Sequence, residues 1–246
     1  MTEAARKVKA AELTAYRISE QILAEGLGEG SVLPHERAMA EDLGVGRGTL
    51  REALRLLETQ GVIRIKPGPG GGPVVRRPRP DDLVGAMSML LQFLGASLNE
   101  VATTREALEA ASARAAAGHA TADQIEQLQA SVDRMRSHRT DDTVLYAENE
   151  RFHRLLAAMS GNTVLLVIGQ TLERLNAGAA RTLAYSPQTR SAIADAHQRV
   201  VDAIRAGDPD AAEAAARQHL IEFHRYVALR NGALLAAPIR WSPDQS

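Results

Sequence analysis

Between Leu33 and Ile63 the chain reads LPHERAMAEDLGVGRGTLREALRLLETQGVI. Two amphipathic runs meet at Gly44-Val45-Gly46, a turn short enough to set two helices at a steep angle. The spacing predicts one helix over about His35–Leu43 and a second over about Arg47–Gln60, which Gly61 stops. On the second helix Leu50, Ala53, Leu54 and Leu57 share one face, as a helix packed on a core requires. Arg47, Arg51 and Arg55 recur every four residues on another face. A helix presenting arginines in this way can enter the major groove of DNA, where Arg reaches guanine edges or phosphates.

Outward from this segment the pattern continues. Upstream, Ala11–Gly26 reads as a helix with Leu13, Tyr16, Ile22 and Leu23 roughly on one side. Downstream, Val62–Ile65 alternates like a short strand, KPGPGGGP turns the chain, and Val74–Arg77 returns. Helix, turn, helix and glycine-tipped hairpin make a winged helix-turn-helix. Arg64, Lys66, Arg76 and Arg77 flank the wing, whose glycines let backbone amides approach phosphates closely. Pro78 and Pro80 mark the boundary. The expected division is a DNA-binding domain over 1–79, a helical domain over 80–232 and an irregular tail over 233–246.

The helical domain reads as seven helices, and the fold class is therefore mainly α. They are expected at about 82–94, 98–117, 121 onward, 141–159, 163–183, 188–206 and 208–230. Thr121 and Gln124 form a capping box, and Asp208-Pro209 opens the last helix. Only eight of 246 residues are aromatic, while alanine is abundant, a balance that favours helix over sheet.

Net charge is −1, but it is unevenly spread. Residues 1–80 carry 13 basic and 10 acidic side chains, and residues 81–246 carry 16 and 20. A modestly basic reader thus precedes an acidic helical domain. Arg outnumbers Lys by 26 to 3. The absence of cysteine excludes disulfides, thiol catalysis and a Cys-ligated metal. No secretory signal is visible at the N-terminus, and the most apolar stretch, Leu83–Leu98, is too short and too polar for a membrane span. A cytoplasmic protein is expected.

Leu33–Ile63 resembles the DNA-binding domain of the GntR family of bacterial transcription regulators, whose pattern runs roughly LPSEReLA, GVSRxTVReAL, LxxxGl and a glycine-containing wing. The resemblance implies DNA contacts by Arg37, Arg47, Arg51 and the wing-tip Gly68, with Thr49 at a phosphate-contacting position. Two departures stand out. His35 replaces a serine that would cap the second helix, and Gly46 and Gly48 replace positions often hydroxylated.

In the helical domain His153, His197 and His219 lie on separate helices, and Asn149 precedes His153 by four residues on one face. Such a set can hold a divalent metal inside a bundle. TTREALEAASARAAAGHAT, AENERFHRLLAAMSGN and DAHQRVVDAIRAGDPDAAEAAARQHL resemble the FCD ligand-binding domain of FadR-type GntR regulators. That resemblance implies a metal (zinc, nickel or manganese) held by Asn149, His153, His197 and His219, with Asn149 in place of an aspartate. It also implies a small carboxylate effector clamped by Arg105, for which the alternative is an i,i+4 pair with Glu109. Arg154, Asn176 and Arg181 are weaker candidates for the same pocket. The resemblance implies a ligand-responsive regulator, a repressor, that dimerises through its helical domain and reads an inverted repeat in double-stranded DNA. Two alternatives are a regulator for which the metal is itself the signal and a His-ligated metalloenzyme. The latter lacks an HExxH motif and a placed general base.

Overall fold

A computed structural model describes residues 3–68, 71–138, 140–180 and 185–242. The chain divides into two compact units, Met1–Leu83 and Val84–Ser246. The division lies a few residues beyond the proline-marked boundary, because the segment after the wing stays attached to the first unit through Asp82.

The first unit contains α1 (Glu3–Ala24), α2 (Glu36–Leu43), α3 (Arg47–Thr59), β1 (Ile63–Lys66) and β2 (Gly72–Val75). The strands pair antiparallel, with Ile63 opposite Val75 and Lys66 opposite Gly72. Ile18, Leu50, Leu57 and Ile63 form the centre of a core from which solvent is excluded. Gly44 ends α2 in the left-handed conformation at φ 66°, so a residue without Cβ is what permits the tight turn into α3. α1 begins eight residues before the expected start at Ala11. Residues 7–10 are exposed, so they carry no apolar periodicity for a sequence reading to detect. The second strand is displaced toward the wing, with Pro73 inside it rather than Arg77. His35 and Gly46 stand at the N-caps of α2 and α3 and make no side-chain cap bond, so neither helix start is capped by a side chain.

Gly61 joins α3 to the wing at φ 71°. A Cβ there would lie 2.3 Å from Oδ2 of Asp82, whose other oxygen accepts from Arg76 at 2.8 Å. Gly61→Ala is therefore expected to destabilise the first unit by about 2 kcal/mol, from left-handed strain plus the clash. Scanning calorimetry of the full chain checks this. A first transition unchanged in temperature would contradict it.

The second unit is built from α4 (Asp81–Leu94), which starts at the junction, α5 (Leu98–His119), α6 (Ala122–Ser137), α7 (Asp142–Met159), α8 (Thr163–Ala180), α9 (Pro187–Arg205) and α10 (Pro209–Ala236). α5 runs centrally, against α7, α8 and α10. Its buried Ala102, Ala110, Ala113 and Ala116 let those helices approach closely. Capping boxes open α5 (Ser97, Glu100) and α6 (Thr121, Gln124), while Ser186 and Asp208 cap the proline-led α9 and α10. The expected end of α8, residues 181–183, lies outside the described residues.

Residues 233–242 of the segment expected as an irregular tail are ordered against the helical unit, and 243–246 lie outside the described residues. The helix breaks at Asn231 (φ −155°), whose Oδ1 accepts from Leu234 N, and resumes to Ala236. Pro238 then bridges Ser97, Ile239 is buried, and the Trp241 amide donates to Gln92 Oε1 at 2.8 Å. Pro238 and the lack of a sustained helical period hide one buried isoleucine and the backbone hydrogen bonds around it.

Candidate functional site

Two regions carry the side chains picked out by the sequence. In the first unit, packing of Leu50, Ala53, Leu54 and Leu57 turns Arg47, Arg51 and Arg55 to solvent on α3. Three carboxylates of α2 and α3 pair with nearby arginines. Arg37 pairs with Glu41 at 3.0 Å, Arg51 with Glu36 at 2.8 Å and Arg55 with Glu52 at 3.0 Å. All these side chains are more than a third exposed, and such pairs contribute about 0–1 kcal/mol. Pairs this weak do little to hold the guanidinium groups in place. Arg47, on the first residue of α3, has no ion-pair partner among the described residues. Thr49 is half-buried in the same turn. Glu58 Oε1 accepts from Ile65 N at 2.7 Å and couples α3 to the wing. Gly68 is exposed with φ 95° and open space around it, so its backbone can approach another molecule. Residues 69–70 at the wing tip lie outside the described residues.

In the second unit α7, α9 and α10 bring His153, His197 and His219 together, with one ligand nitrogen from each within 4.8 Å of the others. All three are buried. Nε2 of His197 lies 2.9 Å from Nε2 of His219, and the Phe152 ring stacks on His197 with centroids 4.0 Å apart. Burial, then the neighbouring His219 and His153, push the His197 imidazole well below its ordinary range. Burial and His153 push His219 down to about 3, against the pull of Glu109. Both rings are therefore neutral near pH 7 and keep a lone pair. Neutral imidazoles in this arrangement suit a borderline divalent cation. Asn149, half-buried, sits one turn before His153 on α7.

A sequence reading treats Glu109 only as a competitor for Arg105, whereas in the fold it is central. Its Oε1 lies 2.6 Å from Arg105 and its Oε2 lies 2.5 Å from His153 Nδ1, all three residues being buried. Burial pushes the Glu109 carboxyl up, but His153 and Arg105 outweigh it and hold it well below the usual carboxylate range. A carboxylate on the far nitrogen of a metal-binding imidazole fixes its tautomer and orientation. Arg105 thus has an internal partner, the i,i+4 pair that its spacing offered, while its Nε has no hydrogen-bond partner among the described residues.

Beside His153 lies a small cavity of about 30 Å³. Glu109, His153, Arg154, Gln170, Glu173 and Arg174 help to line it. Arg154, exposed beside His153, supplies positive charge there. Arg174 pairs with Glu150 at 2.8 Å. Asn176 is buried on α8, and Arg181 lies outside the described residues.

The depressed imidazoles have a consequence for metal-free protein. A histidine whose folded-state pKa is below the unfolded one contributes stability above the unfolded value, and loses it as pH falls toward the folded value. For His219 that window runs from about 6.5 down to about 3. Stability of the helical unit is expected to fall below pH 6.5 by up to about 1.4 kcal/mol per pH unit for each such group. Urea titrations from pH 7.5 to 4.5 measure this, and a pH-independent midpoint would contradict it.

The chain is similar along most of its length to known regulators. Residues 10–71 match the bacterial regulatory proteins of the gntR family and residues 100–222 match the FCD domain. The HTH-type transcriptional repressor NanR of Citrobacter rodentium (strain ICC168) is 33% identical over 222 residues, covering 88% of this chain and 84% of that protein. NanR of Escherichia coli (strain K12) is 32% identical over 222 residues, covering 88% and 83%. The solved Streptococcus agalactiae GntR superposes with a TM-score of 0.65 at 28% identity, covering 87% of this chain and 99% of that one. Among the described residues no helix is long and apolar enough to cross a membrane. With a winged arginine helix in one unit and a buried histidine cluster in the other, this chain belongs to the gntR family of bacterial regulatory proteins, as a ligand-responsive DNA-binding regulator with an FCD domain.

Proposed function

We propose that the chain is a cytoplasmic transcriptional repressor that releases its operator when a small carboxylate binds in the helical unit. The observation that carries this reading is the convergence of His153, His197 and His219 beside a cavity edged by Arg154 and Arg174. A divalent metal (zinc, nickel or manganese) would be held by the three imidazoles, with the carbonyl oxygen of Asn149 as the candidate fourth donor. When bound, it supplies a Lewis-acidic anchor for a carboxylate oxygen. The chain's own residues do the rest. Glu109 orients His153, Phe152 packs on His197, and Arg154 neutralises the incoming anion. Arg105 holds Glu109 in place and is less free to clamp an effector than its sequence position implies.

Two copies are required to read an inverted repeat. The reading places their contact in the helical unit, where α4 exposes Met89, Leu90, Phe93 and Leu94. Arg37, Arg47, Arg51, Thr49 and the wing at Gly68 make the DNA contacts. An effector that favours one placement of the two readers over the other lowers operator affinity by its differential affinity for the two states.

The test is a fluorescence-anisotropy titration on DNA from upstream of the protein's own gene. Expected are tighter binding to this duplex than to a shuffled one and a steep loss of affinity between about 50 and 200 mM salt. Arg51→Ala is expected to cost about 1–3 kcal/mol on the specific duplex. Equal affinity for both duplexes would refute the reading.

A further inference from the structure

Of the basic side chains that flank the wing, Arg64, Lys66 and Arg77 are exposed and make no ion pair with the described residues. Arg76 is different. Its guanidinium turns inward and donates from Nη1 to Oδ1 of Asp82 at 2.8 Å, the two side chains being 29% and 18% exposed. Oδ2 of the same carboxylate accepts from Arg79 N at 2.7 Å. Carboxylate and guanidinium lie together over the elbow where α3 passes into β1. A Cβ on Gly61 would come 2.6 Å from Asp82 Cγ and 3.0 Å from Arg76 Nη1. Arg76 N also donates to Val62 O at 2.8 Å. The elbow, the exit from β2 and the first turn of α4 thus meet at one carboxylate, within the first unit.

We propose that Asp82 and Arg76 are positioning residues of the DNA reader: the pair fixes the wing against the C-terminal end of α3, so that α3 and the wing at Gly68 reach one duplex together. Arg76 is then a strut and not a phosphate contact. The inference rests on the wing contact given above and not on the effector reading. Gly61, left-handed at φ 71°, has no side chain of its own to hold the hairpin. On the β1 side Glu58 accepts from Ile65 N. Beyond the end of β2, Asp82 is the acceptor shared by the Arg76 side chain and the Arg79 amide. A charge-assisted bond shielded from water is stiffer than the exposed pairs of α2 and α3. Phosphate contacts set the register of a reader only when the elements that bear them are held at a fixed spacing.

The test uses full-length protein, titrated by anisotropy onto the upstream duplex and its shuffled counterpart. Each variant is measured well below its first melting transition, where a loss of stability alone leaves the reader folded and its affinity unchanged. Expected are losses of at least about fivefold for Asp82→Ala and for Arg76→Met, alike on both duplexes, with the slope of log affinity on log salt lower by about 1. The double variant should bind within about twofold of the weaker single, because both substitutions remove the same strut. Arg64→Ala with Lys66→Ala removes exposed cations of the wing. On that background either strut substitution should cost less than about twofold, because most of the wing's attraction for phosphate is then gone.

Were Arg76 itself a phosphate contact, Asp82→Ala would free it and the protein would bind as tightly as wild type or tighter. Arg76→Met would also keep its full cost on the background without the wing cations. Either result overturns the proposal. If Asp82→Ala melts below the temperature of the assay, Arg76→Met with and without the wing cations decides the matter. Wild-type affinity in Arg64→Ala with Lys66→Ala would instead show that the wing does not touch the duplex, and would overturn the wing contact and this inference with it.

Discussion

Glu109→Ala is expected to destabilise the helical unit by about 3–5 kcal/mol, enough to lower its melting temperature by roughly 10 °C. The cause is what the substitution leaves behind. Arg105 is 4% exposed and its NH2 group pairs with Glu109, so removing the carboxylate strands a buried guanidinium whose Nε already has no partner. His153 loses the oxygen 2.5 Å from its Nδ1 at the same time. The double substitution Arg105→Met with Glu109→Leu removes both charges and keeps much of the volume, and should cost markedly less than Glu109→Ala alone. Equal losses for the single and double variants would show that the ion pair is not what holds this part of the core.

Zinc is expected to raise the melting temperature of the metal-stripped protein by about 5–10 °C at a hundredfold excess over its Kd, corresponding to about 2.7 kcal/mol of linkage. His219→Ala should abolish the shift, since it removes one of three buried nitrogens clustered within 4.8 Å. Asn149→Asp separates the roles of the surrounding oxygens. If Asn149 is the fourth donor, an anion there should tighten zinc about tenfold or more. If the charge of the site is supplied instead through Glu109 and His153, Asn149→Asp should change little. Calorimetric titration with zinc on the three proteins reads all of this, and an unchanged shift in His219→Ala would place the metal elsewhere.

What the sequence makes legible follows from the kind of signal each feature leaves. The reader unit is written locally: Leu50, Ala53, Leu54 and Leu57 set the buried face of α3, and the arginines must then face out. Gly44 and Gly61 mark turns that need a positive φ. Capping boxes and proline-led starts fix several helix ends in the second unit to within a residue. The histidines could be named, because three on separate helices invite convergence. Their partners could not. Glu109 reads as an ordinary i,i+4 mate of Arg105, and only tertiary packing brings its other oxygen to His153. Glu173 gives one faint signal, a carboxylate within the apolar run of α8, and periodicity alone does not say which cavity that face lines. The start of α1 and the chain beyond Asn231 were misread for opposite reasons. Residues 7–10 of the first are helical and exposed, and the second is buried at Ile239 without a sustained helical period to announce it.

The central claim is that the buried histidine cavity governs the arginine-bearing reader. The most direct measurement is release of the upstream duplex, followed by anisotropy in zinc-loaded wild type and in His219→Ala, on adding whichever small carboxylic acid binds wild type. The account predicts that the acid weakens DNA binding by wild type at least tenfold, whereas His219→Ala binds the duplex as wild type does and does not release it. Equal release from both proteins, or none from wild type at saturating acid, would contradict it.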